Sequence, residues 1–302
     1  MNENPLVSVV VITYNSANTV LETLDSIAAQ TYKNIELIIS DDCSTDDTVN
    51  KCNNWLKDHI EKFVRVLIIP GEKNIGVSAN FNRGFDHCRA EYMKCIAGDD
   101  LLEVECIEEY VRYVLANPES IIVFSKVRIF GTNRDVRTFV NPFLYNFFDL
   151  SLNEQLDHLI NKSNCIPAPT SFINISKIKA LGIRADERIP MLEDYPMWIN
   201  MLKAGIQFHF VDKELVRYRV GGNGLSTGSN RYLMNDSRRL FELIYIIPNK
   251  YPLYDDAALY IFETEKIMVN RILNTKEYKL GNIILKPLKR IKRFMLRKSI
   301  KG

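Results

Sequence analysis

The hydrophobic pattern of the first 130 residues alternates between the period of a strand and the period of a helix. Runs rich in β-branched residues predict strands at 7–13, 35–40, 63–70, 92–97 and 121–125. Apolar residues at helical spacing predict helices at 19–30, 45–60, 77–88 and 105–116. Thr19 and Glu22 have the spacing of a capping box at the first helix. Such alternation predicts an α/β fold with a doubly wound, mostly parallel sheet.

Polar residues lie at the ends of three of the predicted strands or just beyond them. They are Thr13 to Asn15, Asp41 with Asp42, and Asp99 with Asp100. Doubly wound sheets bind ligands beyond the carboxyl ends of their strands, so a site is predicted there. Neither the glycine fingerprint of dinucleotide-binding folds nor a P-loop lysine motif occurs in the sequence. Acids at such a place hold phosphates only through a metal ion.

The stretch "IAGDDLLE" places two carboxylates side by side after a hydrophobic strand. Adjacent acids repel each other, and leaving water without a partner is unfavourable for both. One interpretation is that Asp99 or Asp100 caps a helix that begins near Val104. The other is that both carboxylates face a divalent cation.

The composition is that of an ordinary globular protein of 302 residues, with 46% hydrophobic and 25% charged residues. No apolar run is long enough to span a bilayer, and no signal peptide is recognised before the first strand. Six cysteines without a C-x-x-C pair predict free thiols in a reducing cytoplasm. His87, His158 and His209 lack the spacing of metal ligands, so no zinc site is predicted.

Basic residues are concentrated at the end of the chain. Residues 286–302 contain eight Lys or Arg and no acid, and the rest of the chain has 31 basic against 37 acidic residues. A nucleic-acid face would spread over the fold, so no nucleic-acid partner is predicted. Leu288, Ile291 and Met295 share one helical stripe of the tail, which predicts binding to an anionic membrane surface. A disordered terminus is the alternative.

The pattern is less regular after Phe130. The prolines of "CIPAPTSF" exclude a helix. The segment "EDYPMWINMLKAG" predicts a helix whose start holds Glu193 and Asp194, with Pro196 in its first turn. A glycine-rich loop, "GGNGLSTGSN", precedes a mainly helical C-terminal region.

Five blocks of sequence resemble the family-2 inverting glycosyltransferases. They are "VSVVVITYN", "IELIISDDCSTDDT", "NIGVSANFNRG", "EYMKCIAGDD" and "LEDYPMWINMLKAG". The resemblance covers residues 5–220 and implies a GT-A fold, as in enzymes that build bacterial surface polysaccharides such as O-antigen or capsule. It implies transfer of a hexosyl or N-acetylhexosaminyl group from a nucleotide-diphosphate sugar. The implied catalytic domain is 1–220, with a nucleotide-sugar half (1–130) and an acceptor half (131–220), followed by a helical region (221–302).

The resemblance also implies which residues bind the nucleotide sugar. Thr13, Tyr14 and Asn15 would line the nucleotide pocket, and Asp42 would accept the imide N–H of uracil or thymine. A UDP-sugar is therefore expected first and a dTDP-sugar next. For Asp42 the alternative is a cap on the second helix. Gly76 would let the backbone approach the ribose or phosphates, or it is a plain loop glycine.

Asp99 and Asp100 correspond to the family's metal-binding acid motif, which holds Mn²⁺ or Mg²⁺ against the two phosphates. Asp99 would also contribute to nucleotide-sugar binding. Both acids are expected in a solvent-accessible cleft. The motif is usually Asp-x-Asp, and Ala97 replaces its first acid here. Gly221 stands where the family often has a histidine ligand.

Asp194 is the candidate general base, which would remove the proton of an acceptor hydroxyl during a single displacement. Glu193 beside it would tune its pKa. The alternative is that both acids merely complement the dipole of the predicted helix. Trp198 is predicted either to stack on a sugar or to pack in the core.

The implied acceptor is a glycan or a polyprenyl-linked glycan at the cytoplasmic face of the cell membrane. Two other functions stay open at this point. A sugar nucleotidyltransferase shares the sheet type, but it usually has a basic glycine-rich loop where this chain has "NSANT". A non-catalytic glycan-binding or scaffold protein of the same fold would account for the missing acid and histidine.

Overall fold

The computed structural model describes residues 4–131, 146–161 and 164–220. Its strands are β1 (Val7–Thr13), β2 (Ile35–Asp41), β3 (Arg65–Pro70), β4 (Tyr92–Ala97), β5 (Leu101–Leu102), β6 (Ile122–Gly131), β7 (Phe172–Asn174) and β8 (His209–Val220). Its helices are α1 (Val20–Ala28), α2 (Thr48–Lys57), α3 (Val77–His87), α4 (Cys106–Ala116), α5 (Leu152–Asn161), α6 (Ile175–Ala180) and α7 (Tyr195–Lys203). Short 3₁₀ turns span Ile60–Lys62 and Ala168–Thr170.

The first half of the chain forms the parallel part of the sheet. The strand order is β3-β2-β1-β4-β7-β6-β8-β5, and β3, β2, β1 and β4 run parallel to one another. Val9, Val10 and Val11 of β1 are fully buried, because helices cover both faces of a doubly wound sheet. The predicted α/β fold with a mostly parallel sheet is confirmed.

The second half of the sheet is mixed. β7 pairs antiparallel with both β4 and β6, β8 runs parallel to β6, and β5 is antiparallel to β8. The sequence pattern predicts none of β5, β7, β8 or α5. It also predicts too short a β6, which continues to Gly131 and shifts its register against β8 around Lys126.

The predicted capping box at α1 does not form. Thr19 precedes the helix, but its side chain makes no cap hydrogen bond. Its hydroxyl donates instead to the carbonyl of Gly98 (2.7 Å), and the Glu22 carboxylate accepts from the guanidinium of Arg219 (2.8 Å). Thr19 therefore ties the start of α1 to the loop that follows β4, and Glu22 ties the helix to β8.

Aromatic side chains fill the core on either side of β7. Phe172 stacks on Tyr92 and Tyr110, with ring centroids 5.4 and 5.0 Å apart. Phe124 and Phe208 belong to a second cluster, 5.2 Å apart. All six cysteines are unbonded thiols, as predicted.

The expectations for the C-terminal region, the basic tail and Gly221 lie outside the described residues. Within the ranges that the structure describes, no helix is long and apolar enough to cross a membrane.

Candidate active site

The carboxyl ends of β1, β2 and β4 meet at one edge of the sheet. The hydroxyl of Thr13, at the end of β1, donates to the carboxylate of Asp41, at the end of β2 (2.8 Å). Gly98 follows β4, and a Cβ added there would lie 2.8 Å from the Thr13 methyl group. The three polar clusters that the sequence analysis singles out are therefore neighbours.

The loop after β1 is held against the loop after β2 by Asn15. Asn15 adopts a left-handed backbone conformation (φ 50°), and its N–H donates to the Ser44 hydroxyl (2.8 Å). Its side-chain oxygen accepts from the N–H of Thr45 (2.8 Å). Tyr14, between the two anchored residues, is 50% exposed. Thr13 and Asn15 shape this loop, and Tyr14 presents its ring to solvent.

Asp41 and Asp42 have different partners, although they are adjacent in sequence. Asp41 accepts from both the N–H and the hydroxyl of Ser44 (2.8 and 2.5 Å). Asp42 is only 3% exposed, and its two oxygens accept from the N–H groups of Ile75 and Gly76 (2.9 Å each). The helix-cap alternative for Asp42 is therefore wrong, because this carboxylate holds the turn before α3. Each oxygen has one more lone pair, and base recognition by Asp42 stays a prediction.

Gly76 is more than a plain loop glycine. Its backbone has a φ of 90°, which favours glycine, and an added Cβ would lie 2.8 Å from both Cβ and the carbonyl oxygen of Pro190. The N–H of Ser78 donates to the same carbonyl (3.0 Å). The start of α3 is thereby packed against the segment that leads to Asp194, so the two halves of the candidate site are in direct contact.

The acid pair after β4 does not cap a helix. α4 begins at Cys106 without a side-chain cap, and β5 separates it from the acids. The Asp100 carboxylate accepts from the N–H of Arg219 on β8 (2.8 Å). Asp100 is only 2% exposed, so the expectation that both acids lie in an open cleft is wrong for this residue. Asp99 is half-buried. Within the part of the chain that the structure describes, no other residue donates a hydrogen bond to its carboxylate.

Arg219 organises this acid pair, and the sequence analysis does not identify it. Its Nε donates to the carbonyl of Asp99 (2.7 Å), and its guanidinium lies over the Phe130 ring, 4.4 Å from the centroid. Its Nη2 reaches Glu22 on α1. The only signal in the sequence is the "YR" pair at the end of β8.

Burial and mutual repulsion make this pair difficult to ionise. Burial raises the pKa of Asp99, and the Arg219 charge opposes that rise. Burial and the Asp99 charge both raise the pKa of Asp100, well above its usual range. A cation would relieve the repulsion. Oxygen donors suit Mg²⁺ or Mn²⁺, which commonly take one or two carboxylates and complete their shell with water and phosphate.

The acids therefore fit a divalent ion that is shared with a substrate. They do not form a closed protein site, since the described ranges hold no group of three or more His, Cys, Asp or Glu side chains suited to a metal.

Glu193 and Asp194 lie at the start of α7. Asp194 makes no side-chain cap bond, and its Oδ2 accepts from the side-chain amide of Asn164 (2.9 Å). Burial raises the pKa of both acids, and for Glu193 burial together with the Asp194 charge raises it to about 8. The N–H of Tyr195 and the amide of Asn164 oppose the rise at Asp194. The Asp194 charge thus opposes ionisation of Glu193, whereas Asp194 has hydrogen-bond donors that favour its own charged form.

Trp198 packs in the core. It is 3% exposed and meets the rings of Phe124 and Phe208 edge-on, with centroids 5.3 and 6.0 Å away. The structure supports the packing alternative for Trp198, since so buried a ring presents no face to a sugar.

The eight-stranded mixed sheet, with helices on both faces, is an α/β fold of the GT-A type. The model of the family "Glycosyl transferase family 2" matches residues 8–173, more than half of the 302-residue chain. The chain belongs to this family.

Several relatives are also named as glycosyltransferases. An uncharacterized glycosyltransferase of Methanocaldococcus jannaschii is 26% identical over 219 residues, covering 72% of each chain. The Escherichia coli enzyme WfaP, named UDP-Glc:alpha-D-GlcNAc-diphosphoundecaprenol beta-1,3-glucosyltransferase, is 26% identical over 238 residues, covering 78% of this chain and 85% of its own.

Solved structures share the fold. S. aureus TarS 1–349 in complex with UDP-GlcNAc gives a TM-score of 0.60 at 19% identity, covering 82% of this chain and 68% of that one. The mannosyltransferase PcManGT of Pyrobaculum calidifontis, in complex with GDP-Man and Mn²⁺, gives 0.56 at 15% identity, covering 93% and 84%. In another TarS structure, with a longer chain, the present chain covers 40% of the TarS length.

Proposed function

We propose that this glycosyltransferase is divalent-metal-dependent and inverting, and that it moves a sugar from a nucleotide-diphosphate donor to a hydroxyl of a glycan. The observation that carries the proposal is the acid pair held at the end of β4. Arg219, Thr19 and Thr23 hold this loop by donating hydrogen bonds to its backbone carbonyls. Among the described residues, no other one donates a hydrogen bond to the Asp99 carboxylate.

The donor is a UDP-sugar, with a dTDP-sugar next. Thr13, Tyr14 and Asn15 line the nucleotide pocket, with the exposed ring of Tyr14 as the group available to pack on the base or ribose. Asp42 recognises the base, and Gly76 lets the backbone approach the ribose or phosphates. The UDP-GlcNAc complex of TarS and the UDP-Glc in the name of WfaP support a uridine nucleotide.

Asp99 and Asp100 hold the metal ion. When bound, Mn²⁺ or Mg²⁺ supplies positive charge to the diphosphate leaving group. Asp99 is the direct ligand because its carboxylate is the more exposed and the less engaged. Asp100 orients the loop through Arg219 and contributes its second oxygen. The Mn²⁺ that accompanies GDP-Man in the PcManGT complex supports this choice of ion.

Asp194 is the general base. It takes the proton of the acceptor hydroxyl while that oxygen attacks the anomeric carbon, so the product has inverted configuration. Burial and the Asp194 charge raise the pKa of Glu193, which favours Asp194 over Glu193 for this role. Pro190 connects this segment to Gly76, which supports a site built from acceptor-side and donor-side elements together.

The acceptor is a glycan of the cell surface, carried on a polyprenyl diphosphate. Support comes from the name of WfaP, which contains a diphosphoundecaprenol acceptor, and from a Bacillus subtilis relative named for teichuronic acid biosynthesis. In this proposal the enzyme works at the cytoplasmic face of the membrane, where the basic tail 286–302 binds anionic lipid.

Calorimetric titration with UDP, with and without Mn²⁺, tests the donor site. We expect affinity that rises with metal, followed by release of nucleoside diphosphate in a screen of UDP-, dTDP- and GDP-sugars. Metal-independent or absent binding would favour a non-catalytic glycan-binding protein. Formation of a nucleotide sugar from a nucleoside triphosphate would instead favour a nucleotidyltransferase. NMR of the product linkage decides whether the configuration is inverted.

A further inference from the structure

We propose that Asn164 is a positioning residue that holds the carboxylate of Asp194 for proton removal. This inference rests on the proposed role of Asp194 as the general base. It adds a residue that no sequence motif singled out, since Asn164 precedes Asp194 by 30 residues.

Two hydrogen bonds fix the orientation of the Asn164 amide. Its Nδ2 donates to Oδ2 of Asp194 (2.9 Å), and its Oδ1 accepts from the N–H of Ile166 (3.0 Å). A backbone N–H can only donate, so Oδ1 must face Ile166 and the NH₂ group must face the carboxylate. The amide is thus a dedicated donor to Asp194.

The segment that carries Asn164 is itself anchored in the core. The Ile166 side chain is 4% exposed. The ammonium of Lys94, on β4, donates to the carbonyls of Ser171 (3.1 Å) and Pro169, and the Tyr110 hydroxyl donates to a neighbouring carbonyl of the same segment. Groups that act in catalysis are effective when such buried contacts hold them in place before substrate binds.

An amide donor has two effects on a carboxylate base. It restricts the rotation of the side chain, and it stabilises the charged form without supplying a proton that could be lost. The neighbouring acid is Glu193, and ionisation of either carboxyl group opposes ionisation of the other. Helix α7 fixes the backbone of Asp194, and Asn164 fixes its carboxylate.

Two substitutions separate this role from a purely structural one. Asn164→Ser and Asn164→Asp both keep an oxygen that can accept from the Ile166 N–H, so both keep the turn. Serine is too short to reach Asp194. Aspartate presents a second carboxylate where the amide was. Asn161→Ser is the matched control, because Asn161 is exposed at the end of α5 and its side chain donates to Asp157, away from the acid pair.

The assay measures release of nucleoside diphosphate from whichever donor is active in the UDP-, dTDP- and GDP-sugar screen. The acceptor is GlcNAc-diphospholipid, or water where that lipid is not used. We expect kcat to fall about tenfold in Asn164→Ser and about a hundredfold in Asn164→Asp, in the range for impaired acid–base catalysis. The donor KM, the affinity for UDP with Mn²⁺, and the melting temperature should stay near those of Asn161→Ser.

Each other outcome overturns the inference. If Asp194→Asn is inactive but both Asn164 variants keep normal kcat, Asn164 does not position the base and the proposed function stands. If kcat falls only together with a weaker donor KM or a lower melting temperature, Asn164 is structural. If Asp194→Asn itself is fully active, the base assignment fails and this inference fails with it.

Discussion

The candidate site contains two pairs of acids that are adjacent in sequence. The two pairs differ in the contacts that offset the repulsion between their carboxylates. Asp99 and Asp100 follow a strand, whereas Glu193 and Asp194 precede a helix. In each pair one carboxylate accepts a hydrogen bond from a distant part of the chain. For Asp100 the donor is a backbone N–H on β8, and for Asp194 it is the side-chain amide of Asn164.

The difference lies in the nearby positive charge. Arg219 lies beside the first pair and opposes the rise in the pKa of Asp99. Among the described residues no cation is seen to oppose the rise at the second pair, and Glu193 there has its pKa raised to about 8. Two carboxylates in a poorly solvated place must lose one charge. The first pair is suited to bind a metal ion, whereas the raised pKa values of the second pair suit it to accept a proton.

The largest effect that tests this contrast is expected for Asp194→Asn. The substitution removes the carboxylate proposed as the general base, so we expect kcat to fall about a hundredfold or more. Glu193→Gln leaves the Asp194 carboxylate in place, and its kcat should fall less than about tenfold. Steady-state kinetics at pH 7 measure both. Equal losses in the two variants would contradict the choice of Asp194 over Glu193 as the base.

The next effect concerns metal-dependent binding of UDP. Asp99→Ala should abolish the increase in UDP affinity caused by Mn²⁺ and leave the melting temperature unchanged, because its carboxylate is the less engaged. Asp100→Ala should also destabilise the fold by about 1–3 kcal/mol, since it leaves the partly buried N–H of Arg219 unpaired. Calorimetry and thermal unfolding measure these. Asp58→Asn, an exposed acid at the end of α2, is the control.

A smaller effect is expected for Arg219→Met, which keeps the backbone bond to Asp100 but removes the guanidinium. Arg219 lowers the pKa of Asp99, so its loss should raise that pKa. The pH at which Mn²⁺ begins to strengthen UDP binding should therefore move upward. Titrations at several pH values measure the midpoint. An unchanged midpoint would show that Arg219 supports the loop without acting on its charge.

The smallest effect is a change in the pH dependence of the free energy of unfolding. It concerns Lys94, the buried lysine of β4. Burial lowers the pKa of Lys94 from 10.5 to about 8. Between those values the unfolded chain binds a proton that the folded chain does not, so raising the pH through this window favours folding. Below about pH 8 both states are protonated and the slope vanishes.

The slope is measured as a difference between wild type and Lys94→Met. The free energy of unfolding of the wild type should rise relative to the variant by at most about 1.4 kcal/mol per pH unit, since one proton is involved. The buried thiols titrate in both proteins and cancel in the difference. Parallel curves for the two proteins would mean that the pKa of Lys94 in the folded protein stays near 10.5, as in the unfolded chain.

The sequence predicts the parallel half of the fold well and the other half poorly, for a physical reason. The strands β1 and β4 have their predicted bounds because both faces are covered and the residues are largely apolar. β8 mixes exposed Asp212, Lys213 and Glu214 with buried Val216, so its pattern matches neither period. Whether such a segment forms a strand depends on its pairing with distant strands, which the local sequence does not predict.

The same limit applies to the site. Acids after strands are visible in the sequence, and the topology brings their strand ends together. Their partners are not visible, because Arg219 and Asn164 act across 119 and 30 residues of chain. The burial of Asp42 and Asp100 also depends on such distant contacts, so their exposure could not be predicted.

The hydrogen bond between Arg219 and Asp100 also has a consequence for the synthesis of the protein on the ribosome. Its two ends are 119 residues apart, so at translation rates of about 5–20 residues per second the acid pair waits roughly 6–24 s for the strand that holds it. During this interval the ribosome carries a chain with two neighbouring acids and no β8. We expect that a stalled nascent chain that ends before β8 does not bind UDP and Mn²⁺. A stalled chain whose β8 has emerged from the ribosome should bind them. The enzyme would thus become able to bind its donor only after most of its chain has left the ribosome.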